Sequence, residues 1–128
     1  METSNKKSLY ERLGSAKGIS NIVDDITNNH MNNPGIKNRY ILMANDPERK
    51  EKVKKHVRDF LGAGSGGPEE YTGMDMVTTH TGMNISEEEF IHVLDDILAA
   101  LDKNNVEAGA RNEVLAISYS LKEQIVRL

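Results

Sequence analysis

GGPEEYTGMDMVTTHTGMNISEEEF, from Gly66 to Phe90, holds the punctuation on which the fold turns. Gly66, Gly67 and Pro68 close a run, GAGSGGP from Gly62, that stops any preceding helix and makes a flexible corner. A short helical stretch from Met74 to His80 comes next, with Met76 one turn before His80 on the same face. Ser86 and Glu89 then have the spacing of a capping box, so Ser86 opens a long helix. Its inward stripe is Phe90, Val93, Leu94, Ile97, Leu98 and Leu101, at steps of three and four.

The same period runs outward in both directions. Upstream, Ile19, Ile22, Val23, Ile26 and His30 mark one face of a helix that Pro34-Gly35 ends. Asp46-Pro47 starts another: a carboxylate cap, then a proline where no amide donor is needed. On it Val53, Val57, Phe60 and Leu61 share a face, and His56 lies on or beside it. Downstream, a last helix from about Val106 to Arg127 turns Ala110, Val114, Ile117, Leu121 and Ile125 inward. No segment alternates with period two. The spacing predicts one all-α domain over residues 1–128 with about five substantial helices, its first stretch, 1–8, a polar, flexible segment.

Composition narrows the function. The chain has 128 residues, 38% hydrophobic and 28% charged, with net charge −4, no Cys, no Trp and two Phe. Without cysteine there are no disulfides or thiolate metal sites. Lys50, Lys52, Lys54 and Lys55 are interleaved with Glu48 and Glu51, a solvated helix face rather than a phosphate-tracking stripe, so nucleic acid is not an expected partner. No window approaches the roughly 18 apolar residues of a membrane span, and the first residues lack the apolar run of a signal peptide. A cytoplasmic protein is the expectation. Phosphate loop, HExxH and GxSxG signatures are missing, and the glycine-rich corner lacks a lysine to hold a phosphate.

The histidines carry the remaining information. His92 lies about 200° around its helix from Phe90, which reads as surface. His30 reads as a packed interface residue. His80, followed by Met83 and Ile85, stands among apolar residues, where an imidazole is either a hydrogen-bonded core group or a ligand. His56 lies on the apolar face of a different helix. Two inward histidines, two lone phenylalanines and abundant Met and Val suit a slot for a flat iron macrocycle. Zinc fits worse, for want of a third and fourth ligand.

The run LYERLG, Leu9 to Gly14, and the run GGPEEYTG, Gly66 to Gly73, followed by Met76, His80, Ile85 and Phe90, resemble the group 1 truncated haemoglobins over nearly the whole chain. That resemblance implies a shortened globin, a two-over-two helical sandwich around one haem b. His80 falls on the family's proximal iron position. Tyr40 falls where the family packs a Phe against the haem face, and Tyr71 on its YxG corner. Phe60, Leu61, Met76, Phe90 and Val93 match pocket-lining positions, with Met83 and Ile85 beside them.

The departures lie on the distal side. Thr27 stands where the family usually has a Tyr that hydrogen-bonds oxygen, and Val53 and Val57 replace frequent partner glutamines. The double glycine after the first helix is reduced to Gly14-Ser15. His56 matches a position from which an imidazole either reaches the iron's sixth site or contacts a haem propionate. The implied function is reversible binding of a diatomic gas. The alternatives are nitric oxide oxidation to nitrate with an external reductase, and redox work by a bis-histidine haem. A monomer or weak homo-oligomer would serve each.

Overall fold

The computed structural model describes residues 7–128. The flexible segment expected at 1–8 therefore lies mostly outside the described residues. Ser8 belongs to the fold: its hydroxyl accepts from the Glu11 amide at 3.1 Å, while the Glu11 carboxylate takes the Ser8 amide at 3.0 Å. This capping box opens α1, Leu9–Arg12. Gly14 follows with φ 95°, in the left-handed region, and Gly18 sits under the crossing chain, where a Cβ would stand 2.1 Å from the Leu13 carbonyl oxygen. Ser15, in the second place of the reduced glycine pair, also takes a left-handed φ of 58°. A side chain there carries strain that glycine would not.

Helix α2, Ser15–Asn32, buries the stripe read from its periodicity, with Ile22 and Val23 wholly covered. A 3-10 turn, Lys37–Tyr40, leads into the short α3, Ile41–Ala44. Asp46 then caps α4, Pro47–Gly64, by accepting from the Arg49 amide. The short α5 is Met76–His80 and begins two residues later than its apolar pattern suggests, because Asp75 is extended at its N-cap. The Ser86–Glu89 capping box opens α6, Glu87–Lys103, as expected.

Helix α7, Ala108–Ser120, stops short of the expected Arg127. After it come a 3-10 turn, Lys122–Gln124, and a parallel bridge between Val126 and Ile85. Pairing with Ile85 and the left-handed φ of Arg127 (64°) are incompatible with a helix that runs on to Arg127. Four long helices therefore dominate the described residues, where periodicity gave about five.

Helix α2 packs across α4 and α6, and α6 packs on α7, giving the two-over-two sandwich. The core gathers Leu9 and Leu13 from α1, the α2 stripe, Ala100 and Leu101 from α6, and Ala110 and Val114 from α7. It lies toward the C-terminal end of α6, leaving Phe90 and the segment around His80 at the other end. Lys54 is not a solvated residue: it bridges to Asp24 of α2 at 2.6 Å. No helix among the described residues is long and apolar enough to cross a membrane.

Candidate functional site

Helix α5 is barely more than one turn, and its last residue is His80. The His80 ring turns back along the helix, with Nδ1 2.8 Å from the Met76 carbonyl oxygen. A carbonyl can only accept, so Nδ1 carries a proton, and in the neutral ring Nε2 is then the nitrogen with the lone pair. Among the described residues no hydrogen bond engages Nε2. Met76 is half-buried beside it, and Val77 (42%) and Met83 (37%) leave apolar surface uncovered by protein.

Helix α4 supplies the second group. Only Gly62 on it is fully buried; Val53, His56, Phe60 and Leu61 are half-buried and Val57 is 37% exposed. An apolar stripe that protein atoms leave partly uncovered is what a flat apolar group requires. Leu61 is the exception, packed on the core. Tyr71 brings α4 to the corner: its ring meets Phe60 edge-on at 5.2 Å and His56 at 6.1 Å. Its hydroxyl donates to the Met74 carbonyl, and a Cβ on Gly73 would collide with the Tyr71 ring, which explains the glycine of the YxG corner. His56 Nδ1 is buried without a hydrogen-bond partner. An orphaned imidazole nitrogen and a free His80 Nε2, both beside uncovered apolar side chains, fit a haem.

The other expected positions take varied places. Phe90 is 3% exposed and tilts against Tyr119, while Ile85 and Val93 are half-buried. Thr27 is buried, and its hydroxyl donates to its own helix at the Val23 carbonyl, 2.8 Å away. Tyr40 stacks on His30, ring centroids 5.2 Å apart, and burial pushes its hydroxyl up to about 12.

His30 is packed as expected, but its partner was not legible. Nδ1 lies 2.7 Å from Asp96 Oδ2, and Asn33 donates to both Asp96 oxygens at 3.1 Å. Burial lowers the His30 pKa, and Asp96 pulls against that shift. A carboxylate three residues after Val93 and four before Ala100, on the buried stripe, was the available signal. His92, expected on the surface, is half-buried instead, because its ring lies over Gly35, where no side chain competes for the space. Arg39, which bridges Glu89 and the Met83 carbonyl, left no sequence signal at all.

A sequence profile described as bacterial-like globin matches residues 8–127. The chain is 24% identical over 120 residues to the group 1 truncated haemoglobin of Tetrahymena pyriformis, covering 93% of this chain and 95% of that protein. Its fold is similar to the crystal structure of the Tetrahymena pyriformis truncated haemoglobin in the Fe(III) form. That match has TM-score 0.85 and 22% identity over 95% of this chain and all of the other. The group II truncated haemoglobin of Bacillus anthracis is similar too, with TM-score 0.82 and 19% identity over 96% and 93% of the two chains.

Proposed function

Because the chain belongs to the bacterial-like globin family, we propose that it carries haem b on His80 and binds a diatomic gas reversibly. The observation that carries this reading is the His80 ring, with Nδ1–H committed to Met76 and the Nε2 lone pair free. A metal ligand needs that tautomer, and the carbonyl bond fixes it while raising the basicity of the other nitrogen. Bound haem would supply an iron with an open coordination position, where a diatomic gas becomes polar enough to accept hydrogen bonds.

The chain's own residues set how firmly the gas is kept. Val53 and Val57 have no donor, and the Thr27 proton is spent on Val23. Gas should thus be held by a weak set of donors, which favours exchange over long retention and counts against oxygen-dependent nitric oxide oxidation. Val57, Phe60 and Tyr71 give the macrocycle an apolar wall, and Val77 and Met83 would cover it near His80. The lack of cysteine leaves no thiol to attach it covalently.

One observation favours a second role on the other side. The buried, unpartnered His56 Nδ1 supports an imidazole that takes the sixth iron site when no gas is present. Gas would then compete with His56, and its apparent affinity would fall by the fraction of sites already closed.

A single set of absorption spectra tests both readings, on the ferric and ferrous haem-loaded protein, His80→Gly and His56→Ala. The wild type should hold one haem per chain in a low-spin, six-coordinate state. His80→Gly should lose haem or hold it weakly, and His56→Ala should turn high-spin. Full haem retention with an unchanged spectrum in His80→Gly would sink the proximal assignment. A wild type already five-coordinate or water-bound would remove His56 from the iron.

A further inference from the structure

The loop that follows His80 is short, and other parts of the chain hold it. The Met83 amide donates to the His80 carbonyl at 3.0 Å, which closes the turn and ties Met83 to His80. Beyond it, the Asn84 amide donates to the Leu128 carbonyl at 2.7 Å and the Arg127 amide to the Ile85 carbonyl at 2.8 Å. A further tether comes from the 3-10 turn before α3. Arg39 Nη1 donates to the Met83 carbonyl at 2.9 Å. Arg39 Nε and Nη2 donate to the two oxygens of Glu89, at 2.7 and 2.8 Å.

We propose that Arg39 is a positioning residue that fixes the loop after His80 against the Lys37–Tyr40 turn, so that the walls bearing His80 and Tyr40 keep one spacing. The proposal rests on His80 being the iron ligand. Isolated ion pairs at a protein surface contribute little, because two long side chains must be ordered in water. Three features separate this one. The pair is bidentate, with side chains only 30% and 23% exposed. Glu89 is already ordered, since Oε1 also takes the Ser86 amide at 3.0 Å in the α6 capping box. The remaining guanidinium nitrogen reaches backbone, so the pair joins three segments of the chain. Arginine alone suits this place: its planar fork meets two carboxylate oxygens and a carbonyl together, whereas a lysine ammonium is a single point charge.

Three variants of the haem-loaded protein test the latch: Arg39→Ala, Arg39→Lys and Glu89→Gln. Glutamine keeps the capping box while removing the charged fork, so Glu89→Gln leaves α6 intact. Amide exchange at residues 81–85, transfer of haem to an excess apoglobin scavenger, and the iron–histidine stretch in ferrous resonance Raman spectra, recorded in the His56→Ala background so that the iron is five-coordinate, are the readouts. Arg39→Ala should accelerate exchange and haem transfer by roughly tenfold, the scale of a lost charge-assisted hydrogen bond. The stretch should shift or broaden, Glu89→Gln should follow Arg39→Ala, and Arg39→Lys should recover only part. Unchanged exchange with an unchanged stretch overturns the latch, and so does a lower melting temperature with no change in the stretch. His80→Gly separates the underlying reading: an iron–histidine band that survives there means that the ligand assignment has failed, whatever Arg39 does.

Discussion

Thr27 lies one turn before His30 on α2, and its buried hydroxyl is turned to the Val23 carbonyl. On the proposed reading, a tyrosine there would carry its hydroxyl well beyond the backbone of its own turn, toward a distal side where Val53 and Val57 would offer no donor. Thr27→Tyr should therefore slow oxygen dissociation by roughly tenfold to a hundredfold, equivalent to about 1–3 kcal/mol for a restored hydrogen bond. Carbon monoxide, less polar when bound, should respond less. Stopped-flow dissociation of the two gases from both proteins makes the comparison. An oxygen rate that does not move would show that another group already supplies the donor. Thr27 was legible in the sequence as a departure; the direction of its hydroxyl was not, because the same side chain can face a pocket or its own helix.

At the scale of elements, the crossing of α1 over α2 depends on Gly18. A methyl group there would stand 2.1 Å from the Leu13 carbonyl oxygen, backbone that cannot swing aside, whereas one on Gly64 at the end of α4 meets nothing within 4 Å. Gly18→Ala should destabilise by about 1–3 kcal/mol or more, as overpacking does. Gly64→Ala should be neutral or stabilising by about 0.4–1 kcal/mol through reduced unfolded-state entropy. Urea unfolding of the two variants decides, and equal midpoints would contradict the crossing. The helices were readable from period and caps, yet both glycines look alike in the sequence. Only the approach of α1 distinguishes them.

Across the whole molecule, three of the groups with shifted pKa values bound the pH range of stability. Burial holds the His30 pKa below 6.5 despite Asp96, so its contribution is complete above 6.5 and shrinks as pH falls. Arg39 hydrogen bonds and the Ser86 amide hold Glu89 down to about 2 from 4.5, a contribution complete above 4.5 and lost as pH falls through about 2. Tyr40 is raised from 10.0 to about 12, so its contribution is complete below 10.0 and lost as pH rises through about 12. Stability should hold level between about pH 7 and 10, with a shoulder below 6.5 before the steeper acid loss. Thermal unfolding of the wild type and His30→Gln across that range should show the shoulder only in the wild type. A wild-type midpoint that stays level down to about pH 5 would mean that His30 and Asp96 are buried as a charged pair.

The sequence by itself determined the all-helical class, the start of α4 at Asp46-Pro47 and the start of α6 at Ser86, and it singled out His56 and His80, the two histidines on which the proposed haem site rests. These are written locally: a cap acts within one turn, a stripe repeats every three or four residues, and Gly66–Phe90 carries its own motif. The tertiary structure alone decided the orphaned nitrogen of His56, the Asp96 partner of His30 and the contacts of Arg39 with Glu89 and Met83. It also set the course of the chain after α7, which ends at Ser120 and turns through Lys122–Gln124 to pair Val126 with Ile85. His30 and Asp96 are 66 residues apart, and Arg39 and Glu89 are 50 apart. No local period links such pairs, because their geometry exists only after α2, α6 and the turn between α2 and α3 have packed.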